Sequence, residues 1–298
     1  MEVTVNKRYG AVLNSIIELK AVIEDFRMHK LGGISSGLDI FKMALLPSLL
    51  NNSSTWIDAP KKTIERLENL QTILMRFLMA VPNSTPITAL NWDLGMMGME
   101  HRINEHKLMF LHYLLSPDGS SLAKEVFNIQ KNLKFPGFVP EARGLILKYS
   151  LPDILDSNLV LTKGKWAQVV KEAIKNKFES ELKDQMETSS KLKESKLVHE
   201  EFKLQDYIKE MNIPDARTNF RIRCSIVNTI KMNQKNNPEY ARKLWICEDC
   251  GNVDSQSHIM WCPSLVTLRE GLDIDNNLDV VHYFQKVVKL RESLRNEE

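Results

Sequence analysis

The chain has 298 residues, 43% hydrophobic and 26% charged, the proportions of a globular protein long enough to bury one large or two ordinary cores. Its formal net charge is only +2, so whole-chain charge selects no partner class and local clusters have to be read instead. Four cysteines do not make a disulfide framework, the N-terminus lacks the apolar run of a signal peptide, and no run of about 18 apolar residues exists to span a membrane; the expectation is a protein of a reducing compartment, nuclear or cytoplasmic, with no membrane partner.

Residues 10 to 30 carry apolar side chains at helical spacing (Leu13, Ile16, Ile17, Ala21, Ile23, Phe26) until Gly32-Gly33 breaks the pattern. Leu38 to Leu50 is hydrophobic nearly all round, which predicts a buried helix that Pro47 bends or ends. The clearest helix follows. Asp58 is placed to cap it with Pro60 in its first turn, Ile64, Leu67, Leu70, Leu74, Phe77, Leu78 and Val81 form one stripe, and Pro82 stops it. Its other faces carry Lys61, Lys62, Arg66 and Arg76, either an ordinary solvated face or one that tracks phosphates.

Beyond the polar loop Asn83-Ser-Thr-Pro86, the segment Trp92 to Met99 leads into a helix through Ile103, Lys107, Phe110 and Leu114. Its glycines lack a phosphate-cradling spacing, and Met96, Met97 and Met99 read as core. Shorter helices are predicted over 120–133 and 139–149, with breaks at Pro136-Gly137 and Leu151-Pro152, and a boundary near 152–162 where Thr162 can cap the next helix. That helix shows Trp166, Val169, Val170, Ala173, Ile174, Phe178, Leu182 and Met186; from 179 to 203 charges alternate densely, as in an exposed connecting helix or a mobile linker.

Residues 215 to 243 change character. Arg217, Arg221, Arg223, Lys231, Lys235, Arg242 and Lys243 face one acid after Asp215, namely Glu239, and a cluster of one sign is a footprint for polyanions. Phe220, Ile222, Ile226, Val227 and Ile230 give the same stretch a helical core face, so an ordinary amphipathic helix is the competing reading. Pro263 starts a short helix and Asp279 to Arg291 makes a last amphipathic one.

Between them stands the most specific signal of the chain, Cys247-x2-Cys250-x7-His258-x3-Cys262. Two cysteines separated by two residues can put both sulfurs on one ion at a tight turn, Gly251 supplies the backbone freedom, and His258 and Cys262 share a face if their segment is helical. Three thiolates and one imidazole complete a tetrahedron with no position left for water, the signature of one structural Zn2+ rather than a catalytic one. A pair of core cysteines beside an unrelated histidine is the alternative. Cys224 reads as a small buried hydrophobe, with a reactive thiol as the competing reading. The fold expected is mainly α: a helical bundle over 1–152, a charged helical connector over 162–212, and over 213–298 a basic helix with a small zinc-stapled helical module.

The stretches Gly37-Leu-Asp-Ile-Phe-Lys42, Leu46-Pro-Ser-Leu-Leu-Asn-Asn52, Thr55-Trp56, Leu67 to Pro82 with Gln71 and Arg76, Ser84-Thr-Pro86 and Asp93-Leu-Gly-Met-Met-Gly-Met-Glu-His-Arg-Ile103 together resemble the thumb region of non-LTR (LINE-type) retrotransposon reverse transcriptases. Asp215-Ala-Arg-Thr-Asn-Phe-Arg-Ile-Arg223 followed by Cys247 to Cys262 resembles the basic stretch and Cys-Cys-His-Cys element at the C-terminus of those polyproteins. The resemblance covers nearly the whole chain. It implies a thumb-like bundle that holds a template-primer duplex, with RNA, DNA or an RNA–DNA hybrid as partner.

One departure is decisive for chemistry. Such polymerases run two-metal phosphoryl transfer on palm aspartates, usually within Tyr-x-Asp-Asp, and this sequence has no Asp-Asp dipeptide. The expectation is a C-terminal fragment that is not an enzyme by itself, its fingers and palm lying upstream of Met1 and being partners it lacks. A non-catalytic helical scaffold derived from a retroelement is the second reading. A zinc hydrolase or endonuclease is the third, which a sulfur-rich closed shell disfavours.

Overall fold

The computed structural model describes residues 9–18, 33–117, 120–133, 136–156, 161–189, 192, 201–227, 247, 249–252 and 255–296. Among them the chain is mainly α with no β-strand; the one β feature is an isolated antiparallel bridge between Leu94 and Leu204. The helices are α1 (residues 9 to 18), α2 (Ile34–Ile40), α3 (Leu46–Leu49), α4 (Lys61–Met79), α5 (Ile87–Asp93), α6 (Met99–Leu115), α7 (Ser121–Leu133), α8 (Phe138–Lys148), α9 (Lys163–Thr188), α10 (Asp206–Glu210), α11 (Ile213–Arg223), α12 (Gln256–Trp261), α13 (Val266–Arg269) and α14 (Asn277–Asn296). They form two compact units, one of residues 1–32, 36–75 and 95–185, the other of 33–35, 76–94 and 186–298.

Three local expectations are corrected. The helix that Asp58 was to cap starts at Lys61: Asp58 itself is left-handed (φ 46°), and the Pro60 carbonyl takes the first bonds, from the Thr63 and Ile64 amides. The stretch 38–50 is not buried all round, because Met43 is 73% exposed while Leu38, Phe41, Leu46 and Leu49 point inward. Of the two outcomes expected of Pro47, bending or ending, it does not end the helix at once: the wider π-turn Phe41–Leu45 precedes the proline, and helix resumes to Leu49 with Pro47 in its first turn. A proline has no N–H to give, and a π-turn is a local way of rearranging that ladder. The expected end of helix near Arg291 moves to Asn296.

In the first unit α6, α7, α8 and α9 share one apolar core. The stripe Trp166, Val170, Ile174, Phe178, Leu182 and Met186 recurs every four residues of α9 and is buried throughout, so the helix continues inward-facing well into its densely charged stretch. Thr162 caps α9, its Oγ1 accepting from the Lys165 amide, and the Trp166 Nε1 donates to the Leu108 carbonyl at 2.9 Å. At the start of α6 the Glu68 carboxylate accepts from the Met99 amide. Burial raises the Glu68 pKa, and the helix amides that it caps oppose the rise. A side chain at Gly98 would meet that carboxylate at 3.0 Å and Phe178 at 3.3 Å, so this position is held small by close approach.

Several helices end in a left-handed residue that is not glycine, α4 first among them. Ala80 is left-handed (φ 49°), its amide donates to Phe77 O and the next amide, Val81, reaches back to Arg76 O at 3.1 Å, a Schellman ending that usually takes glycine. Ser150 and Ser225 end α8 and α11 in the same way, with Leu151 N donating to Ile146 O and Ile226 N to Arg221 O. No glycine marks any of the three stops.

Candidate metal centre and basic positions

Residues 247 and 249–252 form a tight knuckle: Gly251 N donates to Cys247 O at 2.8 Å and Cys247 N to Asn252 O at 2.7 Å. Gly251 sits at φ +72°, which only a residue without Cβ adopts readily. The other two positions come from α12. Ser255 caps it, its Oγ accepting from the His258 amide at 3.1 Å, and Cys262 closes its C-terminal end. The spacing of one turn therefore turns His258 and Cys262 to one side, toward the knuckle.

Cys247, Cys250, His258 and Cys262 come together as a group able to hold a metal ion, their ligand atoms all within 4.8 Å of one another. Cys262 Sγ lies 3.8 Å from the sulfurs of both Cys247 and Cys250, and Cys250 Sγ lies 3.5 Å from His258 Nε2. A tetrahedral zinc ion with sulfur at about 2.3 Å and nitrogen at about 2.0–2.1 Å spaces its ligands about 3.7–3.8 Å (S···S) and about 3.5 Å (S···N) apart. The residues present fit that ion.

The surroundings fit it too. Asn252 Nδ2 points at Cys250 Sγ (3.5 Å), Ser264 Oγ lies 2.8 Å from Cys262 Sγ, and Arg269 donates to the carbonyls of Met260 and Cys262 at 2.5 and 2.8 Å. Donors of this kind suit thiolates, whose three charges exceed those of a dication by one. Burial pushes the Cys247 thiol up to about 11, whereas the Asn252 amide, with smaller help from other donors, lowers Cys250. An ion binding here has to displace the Cys247 proton. The cluster lines a small core with Val227, Ile259, Leu265, Tyr283, Phe284 and Val287, and Tyr283 Oη donates to the Ile259 carbonyl beside His258 at 2.7 Å.

Cys224 stands apart, fully buried, its pKa raised chiefly by burial and then by the charge of Asp93. Such a thiol is inert packing.

The basic positions divide sharply. Lys61, Lys62 and Arg66 are exposed on the first two turns of α4; Lys61 stands 3.8 Å from Glu65 in a surface pair that holds little energy. Arg76 is half-buried and donates to the carbonyls of Asn83 and Thr85 at 2.7 and 3.4 Å. Arg217 donates to Leu78 O at 2.8 Å and Phe77 O at 3.4 Å, and Arg221 to Ala80 O at 2.6 Å, so both serve the carbonyls that end α4. Arg223 forks onto Asp93 with bonds of 3.0 and 3.1 Å. Lys231, Lys235, Arg242 and Lys243 lie outside the described residues.

Sequence reasoning missed the centre around Asp93. This carboxylate is fully buried, held by Arg223 and by Tyr207 Oη at 2.7 Å, with the Arg223 guanidinium 5.2 Å over the Tyr207 ring. Burial, then the Asp93 charge, raises the Tyr207 pKa well above its ordinary value. The partners lie 114 and 130 residues away, and no local pattern announces such a pairing.

No family model matches the sequence, and neither a curated protein nor a solved structure matches it. Among the described residues no helix is long and apolar enough to cross a membrane.

Proposed function

We propose that this chain handles nucleic acid as the thumb-like and zinc-bearing part of a non-LTR retrotransposon reverse transcriptase, with one structural Zn2+ on Cys247, Cys250, His258 and Cys262 and no polymerase chemistry of its own. The observation that supports the reading is the Cys3His cluster, four side chains able to hold one metal ion, as the zinc element of such a protein would require. Zinc supplies a crosslink here, joining the knuckle to α12 in a module whose apolar core is small. With four protein ligands no open position activates water, so hydrolysis is not its task. Lys61, Lys62 and Arg66, all exposed, provide the phosphate contacts, which are sequence-tolerant and salt-sensitive.

The test is fluorescence anisotropy of a labelled RNA–DNA hybrid against the zinc-loaded chain over a salt series. The expected result is binding at low salt that weakens steeply as salt rises, with the Lys61→Ala/Lys62→Ala/Arg66→Ala chain losing about 2 to 3 units of the log–log slope. Absence of binding, or a slope untouched by the triple change, contradicts the proposal.

A second reading, a helical protein-interaction scaffold stabilised by zinc, is favoured by one observation. Arg217, Arg221 and Arg223 spend their donors inside the fold rather than presenting a basic surface. It predicts salt-insensitive behaviour and a protein partner.

A further inference from the structure

α11 is built to be held from two sides. Asp215, Thr218 and Ile222, spaced three and four residues apart, lie on one face of the helix. Gln285 of α14 donates to the Asp215 carboxylate at 2.9 Å and to Thr218 Oγ1 at 3.2 Å, and Gln256 of α12 donates to the Ile222 carbonyl at 2.7 Å. This face is served by the metal module: Gln256 is two residues from His258, and the chain leaving α11 puts Val227 into the same small core as Cys247 and Cys262. Arg217 and Arg221, one turn apart, cap the carbonyls at the end of α4, while Arg223 grips Asp93 at the end of α5.

A helix of 11 residues is too short to persist on its own in water, where about 12–15 residues are marginal even for strong formers. Its order has to come from what it packs on. Loosening either flank therefore weakens the template for the other.

We infer that metal occupancy of the Cys3His cluster is coupled through α11 to the order of residues 76–94, so that the site acts as a zinc-responsive switch for that segment. Zinc fixes α12 and the knuckle; these fix α11; and α11 delivers three guanidinium groups to the ends of α4 and α5. By reciprocity, removing the guanidinium caps weakens zinc binding by the same factor as zinc strengthens the capped state. The inference rests on the zinc reading of the site, and the experiment separates the two.

Hydrogen exchange by mass spectrometry is measured on the full chain with zinc, after chelation, and after zinc is restored, with metal content determined in each sample. The expected result is a loss of protection across residues 76–94 of about tenfold or more on chelation, recovered with zinc, while the α6 peptide 99–115 keeps its rate. Chelator competition on the Arg217→Ala/Arg221→Ala chain should show zinc affinity lower by roughly 5- to 100-fold. If zinc binds stoichiometrically yet 76–94 exchanges identically with and without it, the coupling is wrong and the zinc site stands. Equal loosening of 99–115 also overturns it, as that is global unfolding. If no zinc is bound in any sample, the site itself fails, and the inference falls with it.

Discussion

Two regions of the chain, the bundle of α6 to α9 and the C-terminal module, solve the same problem by different means. The bundle of α6 to α9 buries long stripes of large side chains, Trp166, Ile174 and Phe138 among them, and most of what holds it is apolar area. The module around α12 and α14 has a smaller core in which two of the buried members, Cys247 and Cys262, belong to the candidate metal cluster. A small core supplies little net stability, so a crosslink decides whether such a module folds. If zinc occupies the cluster, as proposed, the bundle is held mainly by area and the module by chemistry, and perturbations aimed at one should spare the other.

The largest expected effect is on the module. Cys262→Ser should abolish metal retention and leave residues 247–296 open to limited proteolysis, while the 99–185 fragment survives digestion; equal survival of both segments would erase the distinction. Next comes the bundle. Trp166→Ala removes a fully buried indole and its bond to the Leu108 carbonyl and should cost about 3–5 kcal/mol in denaturant unfolding, with zinc content unchanged.

A smaller effect is pH-dependent and confined to the bundle. Burial lowers the pKa of His101 below its ordinary 6.5, and Glu181, 3.3 Å from Nε2, only partly opposes it. The folded form therefore resists a proton that the unfolded chain accepts. Stability is complete above about pH 6.5 and falls as pH drops from there toward the folded-state value. Exchange protection of residues 99–115 should decline between pH 7.5 and 5.5, and His101→Gln should flatten the decline. His106, whose pKa burial also lowers, accounts for what remains.

The smallest effect sharpens the helix endings. Ala80→Gly relieves a left-handed alanine at an exposed position and should stabilise the second unit by about 0.5–1 kcal/mol, read as a shift in its denaturant midpoint. An alanine-like or lower midpoint would show that the arginine caps on this turn, not its backbone, set its stability.

These regions also differ in how openly the sequence announces them. The α9 stripe is a plain four-residue repeat, and the spacing 247–262 gathers its four candidate ligands from one short stretch of chain, so both are visible within a short window. The arginines are the opposite case. Arg217, Arg221 and Arg223 look from their neighbours like a surface of one sign, because their partners, the carbonyls at the end of α4 and the Asp93 carboxylate, lie about 130–140 residues away. Helix ends at Ala80, Ser150 and Ser225 carry no glycine to signal a left-handed stop. Asp58 has the composition of a cap and yet a left-handed backbone of its own, because Pro60 already supplies the first acceptor of α4. What was legible is periodic or covalently spaced; what was hidden is long-range polar pairing.

The central claim is that Cys247, Cys250, His258 and Cys262 hold one zinc ion that the module needs to fold. Native mass spectrometry of the full chain purified without added chelator tests it most directly. The account predicts a single bound zinc, absent from the Cys250→Ser chain and lost from the native one together with the compact charge-state distribution of the module when chelator is added. A metal-free chain with the same distribution, or zinc retained undiminished by Cys250→Ser, would contradict it.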